Sequence, residues 1–103
     1  MATLTPVEYL AQVNSATADA FQALRKAVLS AGPLDAYTCE LIALGAFVTS
    51  GNEASFKTHA RRLLKEGAAP DALRHAVLVT FDATTTFSQI SDALHWVDDV
   101  AGK

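Results

Sequence analysis

From Ala36 to Thr49 the chain reads AYTCELIALGAFVT, and Glu40 is the only charged side chain between Asp35 and Glu53. No other stretch constrains the fold so tightly. At about 100° per residue, Ala36, Tyr37, Ala43, Leu44 and Phe47 share the face that carries Glu40. A helix that is apolar all round lies at the centre of a large core or is pressed against a second chain. A carboxylate set into such a helix must find a partner, because an unpaired buried charge is costly. Its apolar surroundings would raise the pKa of the Glu40 carboxyl.

Whether the chain can surround that helix by itself is a question of size. With 103 residues it has material for one domain, residues 1–103, and a domain this small leaves much of its surface outside any core. Half the residues are hydrophobic and 18% are charged, so the chain is not disordered and holds more apolar surface than it can bury alone. A self-associating domain with the apolar helix at its centre follows. The net charge of −3, without a basic cluster, excludes the usual phosphate-binding footprint, so no nucleic-acid partner is expected. The nearly apolar run Leu41–Val48 is far shorter than the roughly 20 residues that span a bilayer, so no membrane partner is expected either. Cys39 is the single cysteine and has no internal partner; with no secretion signal in view, a cytoplasmic location is the default reading.

The rest of the chain reads as helices. Thr5-Pro6-Val7-Glu8 combines a hydroxyl cap, proline at the first helical position and a returning glutamate. Apolar residues at Val7, Leu10, Phe21, Leu24 and Val28 predict one long amphipathic helix to about Leu29, ended by Gly32-Pro33. Asp35 is placed to cap the apolar helix, which stops before Gly51. Asn52 is the expected cap of a third helix that ends at Gly67, and Pro70 opens a fourth behind the weak cap Ala69. Thr84-Thr85-Thr86 predicts a break before a last helix from about Phe87 to Val100. The expected architecture is therefore all-α, an antiparallel bundle of about five helices.

Helical spacing places Asn52, Ser55, His59 and Leu63 on one stripe of the third helix, with Phe56 beside it. Glu40 and His59 are the candidate acid/base pair: one holds or accepts a proton while the other delivers one to a developing carbanion or enolate. Asn52 and Ser55 are the candidate substrate-binding groups, able to orient a carbonyl or carboxylate; Ser55 activated by His59 as a nucleophile is a weaker alternative. A purely structural role competes with each of these: Glu40 can equally pair with Arg61, Arg62 or His59 only to hold the fold. His75 and His95 lie on other helices without ligand spacing, so each reads as a satisfied or solvated histidine, and no metal or other cofactor is expected.

Two segments, LDAYTCELIAL and GNEASFKTHARRLLKEGAAPDALRHAVL, make residues 34–79 resemble the carboxymuconolactone decarboxylase and alkylhydroperoxidase AhpD-like superfamily. In the peroxidase branch a glutamate precedes a CxxCxxxH helix, and Glu40 and His59 take the places of its glutamate and histidine at matching spacing. The two cysteine places fall on Asn52 and Ser55. A carboxamide and a hydroxyl cannot run a cycle that needs a thiolate and a resolving thiol, so the chain is not expected to be a CxxC peroxidase. Cys39, next to Glu40 in sequence, points about 100° away from it and reads as a small apolar residue, with an antioxidant role the last-ranked alternative. The decarboxylase branch also lacks the cysteines, and the resemblance to it implies cofactor-free decarboxylation or isomerisation of a small organic acid or lactone. It also implies trimers or hexamers with the pocket near a subunit boundary. A descendant that keeps the scaffold only to assemble or bind a ligand remains the alternative.

Overall fold

A computed structural model describes residues 4–102. Among them every regular element is helical: α1 (Pro6–Val13), α2 (Ser15–Leu29), α3 (Ala36–Ser50), α4 (Glu53–Lys65), α5 (Pro70–Val79), a single 3₁₀ turn at Thr80–Asp82, and α6 (Phe87–Ala101). The chain divides into two compact units, Met1–Ala36 and Tyr37–Lys103.

In the first unit the single long helix expected from the apolar spacing is two helices, which raises the number of α-helices to six. The break is Asn14. Its backbone is extended at φ −159° and ψ 105°, and its carboxamide oxygen accepts from the Thr17 amide at 2.8 Å to cap α2. An asparagine inside a run of helix formers competes for backbone hydrogen bonds and favours a cap over continuation. Thr5 and Glu8 form the anticipated capping box at the start of α1. Tyr9, Val13, Leu24 and Val28 of this unit are all exposed.

The second unit holds the core. Leu44 and Val48 of α3, Phe56 and Leu63 of α4, Leu73 and Val77 of α5, and Ile90 and Val97 of α6 are all but inaccessible to solvent. At about 1.5–3 kcal/mol for each large buried side chain, they outweigh the exposed ion pairs around them, worth about 0–1 kcal/mol each. The sequence pointed to the apolar helix as the centre, yet α3 buries one stripe, Glu40, Leu44 and Val48, and leaves Ile42 and Ala46 exposed. The element packed on two sides is α6, against α4 and α5.

Turns and ties then fix the register. Gly51, at φ +70°, turns the chain after α3, and Asn52 caps α4 by accepting from the Ser55 amide at 3.2 Å. Thr86 and Gln89 form a capping box at the start of α6, and the Gln89 side-chain amide also donates to the Thr49 carbonyl at 2.9 Å. Arg74 reaches Asp71 and Asp98, joining α5 to α6, while Lys57 reaches Glu53 at 2.7 Å and Asp99 at 3.0 Å, joining α4 to α6.

Hydrogen bonding to Glu53, and then to Asp99, holds the Lys57 ammonium above its ordinary 10.5. A cation whose folded value is raised gives support that is fully present below its unfolded value and is lost as pH rises through the folded one. Wild type should therefore lose more stability than Lys57→Met between about pH 9 and pH 12, read as urea midpoints, and parallel losses would remove Lys57 as the tie.

Candidate functional site

Glu40 sits in the second turn of α3, and its side chain is 6% exposed. The segment facing it is α4, which presents His59 and Arg62, three residues apart and so neighbours on one helical face. His59 Nδ1 lies 3.1 Å from Glu40 Oε1, and Arg62 Nη1 donates to Glu40 Oε2 at 2.7 Å. One carboxylate is thus shared, one oxygen each, between an imidazole and a guanidinium. Phe47, two turns further along α3, stacks obliquely on the His59 ring with centroids 4.9 Å apart. The imidazole is held between a carboxylate and an aromatic face, with 15% of its side chain exposed.

These contacts change the chemistry expected of Glu40. Apolar surroundings alone favour the neutral acid, whereas a guanidinium at 2.7 Å favours the anion. Both of its oxygens face nitrogen groups, as an ionised carboxylate acting only as acceptor requires. Facing such a carboxylate, His59 Nδ1 carries its proton and donates, which makes Nε2 the lone-pair nitrogen of the neutral ring. Arg62 completes the site, and the sequence reading had named it with Arg61 only as one structural partner among several. The signal that separates the two was present in the spacing: Arg62 is three residues from His59, while Arg61 falls on the exposed side.

Of the other candidates, Asn52 is exposed at the start of α4 and its carboxamide oxygen serves as the helix cap. Ser55 is half-buried one turn before His59. Cys39 is partly exposed beside Glu40 on α3. His95 is exposed on α6, with Nδ1 2.9 Å from the Ser91 carbonyl. Among the described residues no group of three or more His, Cys, Asp or Glu side chains is placed to hold a metal ion.

His75 belongs to a different feature. An open groove of about 600 Å³ runs between α3 and α5, lined by Tyr37, Leu41, Gly45 and Thr49 on one side and by Ala72, His75 and Val79 on the other. Glu40 and His59 are not part of that lining. Gly45 permits the approach of the two walls, since a Cβ there would lie 3.3 Å from the Thr80 methyl.

An all-helical protein with a buried carboxylate clamped by an imidazole and a guanidinium from one neighbouring helix is the class that this geometry defines. The sequence profile of the carboxymuconolactone decarboxylase family matches residues 15–99, and the chain belongs to that family. No curated protein and no solved structure matches the chain.

Removing Arg62 takes the guanidinium away from Glu40 Oε2. Arg62→Met should cost about 2–3 kcal/mol in denaturant unfolding, below the roughly 3–5 kcal/mol for stripping a buried pair because the guanidinium is 35% exposed. Adding Glu40→Gln to Arg62→Met should recover part of that loss; a single-variant cost below about 0.5 kcal/mol would show that the pair is solvated.

Proposed function

We propose that this protein is a cofactor-free enzyme of the carboxymuconolactone decarboxylase kind, acting by acid/base chemistry on a small organic acid or lactone. The observation that carries the reading is the 3.1 Å contact between Glu40 and His59, because it gives an imidazole a fixed tautomer and a carboxylate counter-charge. In this reading His59 Nε2 is the group that exchanges protons with substrate. Glu40 does not itself transfer the proton; it orients the ring and stabilises the imidazolium form, and Arg62 keeps Glu40 in place.

For a decarboxylation the carbon–carboxylate bond breaks, carbon dioxide leaves, and the bonding pair moves into the adjacent carbonyl system as an enolate. His59, which has first taken a proton from solvent at Nε2 to become the imidazolium, then delivers that proton to the carbanionic carbon and returns to the neutral ring. An isomerisation uses the same two steps, with proton removal in place of carbon dioxide loss. In this reading Ser55, one turn before His59, and the Asn52 side-chain amide orient a substrate carbonyl or carboxylate. Sulfur chemistry has little support, since Cys39 is the only thiol in the chain.

The same reading includes assembly of one domain into trimers or hexamers in the cytoplasm. The family match runs from the start of α2 into the last turn of α6, across both compact units, which supports treating residues 1–103 as one domain. Exposed Leu24 and Val28 of α2, Ile42 of α3 and Phe87 at 77% exposure supply apolar surface for subunit contacts. A lone cysteine without a disulfide partner accords with a reducing compartment.

The test is turnover of carboxymuconolactone, followed as carbon dioxide release, for His59→Gln and Glu40→Gln, alongside sedimentation of each variant. A positioned general acid/base contributes about 10²–10⁴-fold, so His59→Gln should lose at least about 100-fold, and Glu40→Gln, which removes the group that orients the ring, should lose turnover as well, each with its assembly state unchanged. Turnover equal to wild type in both variants, or loss of assembly as their only defect, would leave the pair a structural element.

A further inference from the structure

Arg62 does more than its contact with Glu40 accounts for. The contact uses Nη1, and no other side-chain hydrogen bond or ion pair of Arg62 occurs among the described residues. A guanidinium carries five donors in a rigid fork. Engagement of Nη1 by Glu40 leaves the Nε–Nη2 edge, which has the geometry to hold both oxygens of a carboxylate side by side. The side chain is 35% exposed, so this edge is not sealed into the core, whereas the Glu40 carboxylate that fixes the other side is 6% exposed.

From this arrangement we infer that Arg62 is the specificity-determining residue of the site: it binds the carboxylate of the substrate through Nε and Nη2 while Nη1 remains on Glu40. The inference rests on the reading of Glu40 and His59 as a working site. Three consequences follow from the geometry. The substrate anion is set within one helical turn of the His59 ring, because His59 and Arg62 are three residues apart on α4. The guanidinium is held by a buried anchor, so little side-chain entropy remains to be lost when the substrate binds. An uncharged analogue has no bidentate partner for the fork and is discriminated against by the same donors that hold the acid.

Binding, not turnover, tests this, which keeps it separable from the catalytic reading. The probes are 5-oxotetrahydrofuran-2-carboxylate and its carboxamide, titrated into the full-length protein while backbone amide and His59 ring resonances are followed by NMR. Wild type should bind the carboxylate at least about tenfold more tightly than the carboxamide. Arg62→Gln should abolish that preference by weakening the carboxylate alone, and Arg62→Lys should restore only part of it, a point charge replacing a fork. Should Arg62→Gln fold poorly because Glu40 has lost its guanidinium, the Glu40→Gln/Arg62→Gln double variant carries neither charge and must also lack the preference. Equal binding of the two probes by wild type, absence of carboxylate binding, or a preference that survives in either Gln variant overturns the inference. If the preference is present and depends on Arg62 while His59→Gln turns over normally, the anion site stands and the catalytic reading falls.

Discussion

Everything in the second unit answers to one requirement, that a carboxylate placed in an uncharged helix be met by donors on a neighbouring element. Glu40 meets it with a helix face and not with a loop: His59 and Arg62, three residues apart, approach its two oxygens at 3.1 and 2.7 Å. A pair of donors on one helical face is rigid to the extent that the helix is, so the imidazole is oriented by the same packing that builds the core. The local cost of burying a charge is thereby linked to the position of a titrating ring.

The packing that fixes α4 is apolar first and ionic second. Phe56 and Leu63 point from α4 into the core on the side next to the site, and Phe56 meets Trp96 of α6 edge to face with centroids 5.3 Å apart. Lys57 then ties the same helix to Asp99 of α6. A shift of α4 by one residue would carry His59 about 100° away from Glu40, so core packing and site geometry are selected together. α3 contributes asymmetrically: Glu40, Leu44 and Val48 face this core, while Gly45 and Thr49 line the separate groove against α5.

Much of this was legible in the residues because the signals were local. Thr5 with Glu8, Asn52, Gly67, Pro70 and the threonine run before Phe87 each specify a helix end through their own backbone chemistry, and the structure places the boundaries there. The meeting of Glu40 and His59 was also readable, from helical spacing and a family resemblance. What escaped was decided by competition between neighbours or by tertiary placement. Asn14 looked like a polar residue within one long helix, and only the balance between continuing a helix and capping a new one makes it a break. The choice of Arg62 over Arg61 follows from its three-residue spacing to His59, a signal that decides only once His59 is set against Glu40. The apolar character of α3 suggested a central helix, because composition says that a face is apolar without saying what covers it.

The chain belongs to the carboxymuconolactone decarboxylase family, and in it Glu40 and His59 meet at 3.1 Å. The protonation pattern of the imidazole beside Glu40 is the point on which the account turns. Long-range ¹H–¹⁵N correlation of the His59 ring at neutral pH, in wild type and in Glu40→Gln, measures it directly. The account predicts a neutral ring protonated at Nδ1, or a full imidazolium, in wild type, with that pattern lost in Glu40→Gln. A wild-type ring protonated at Nε2, or a solvent-like mixture unchanged by the substitution, would contradict it.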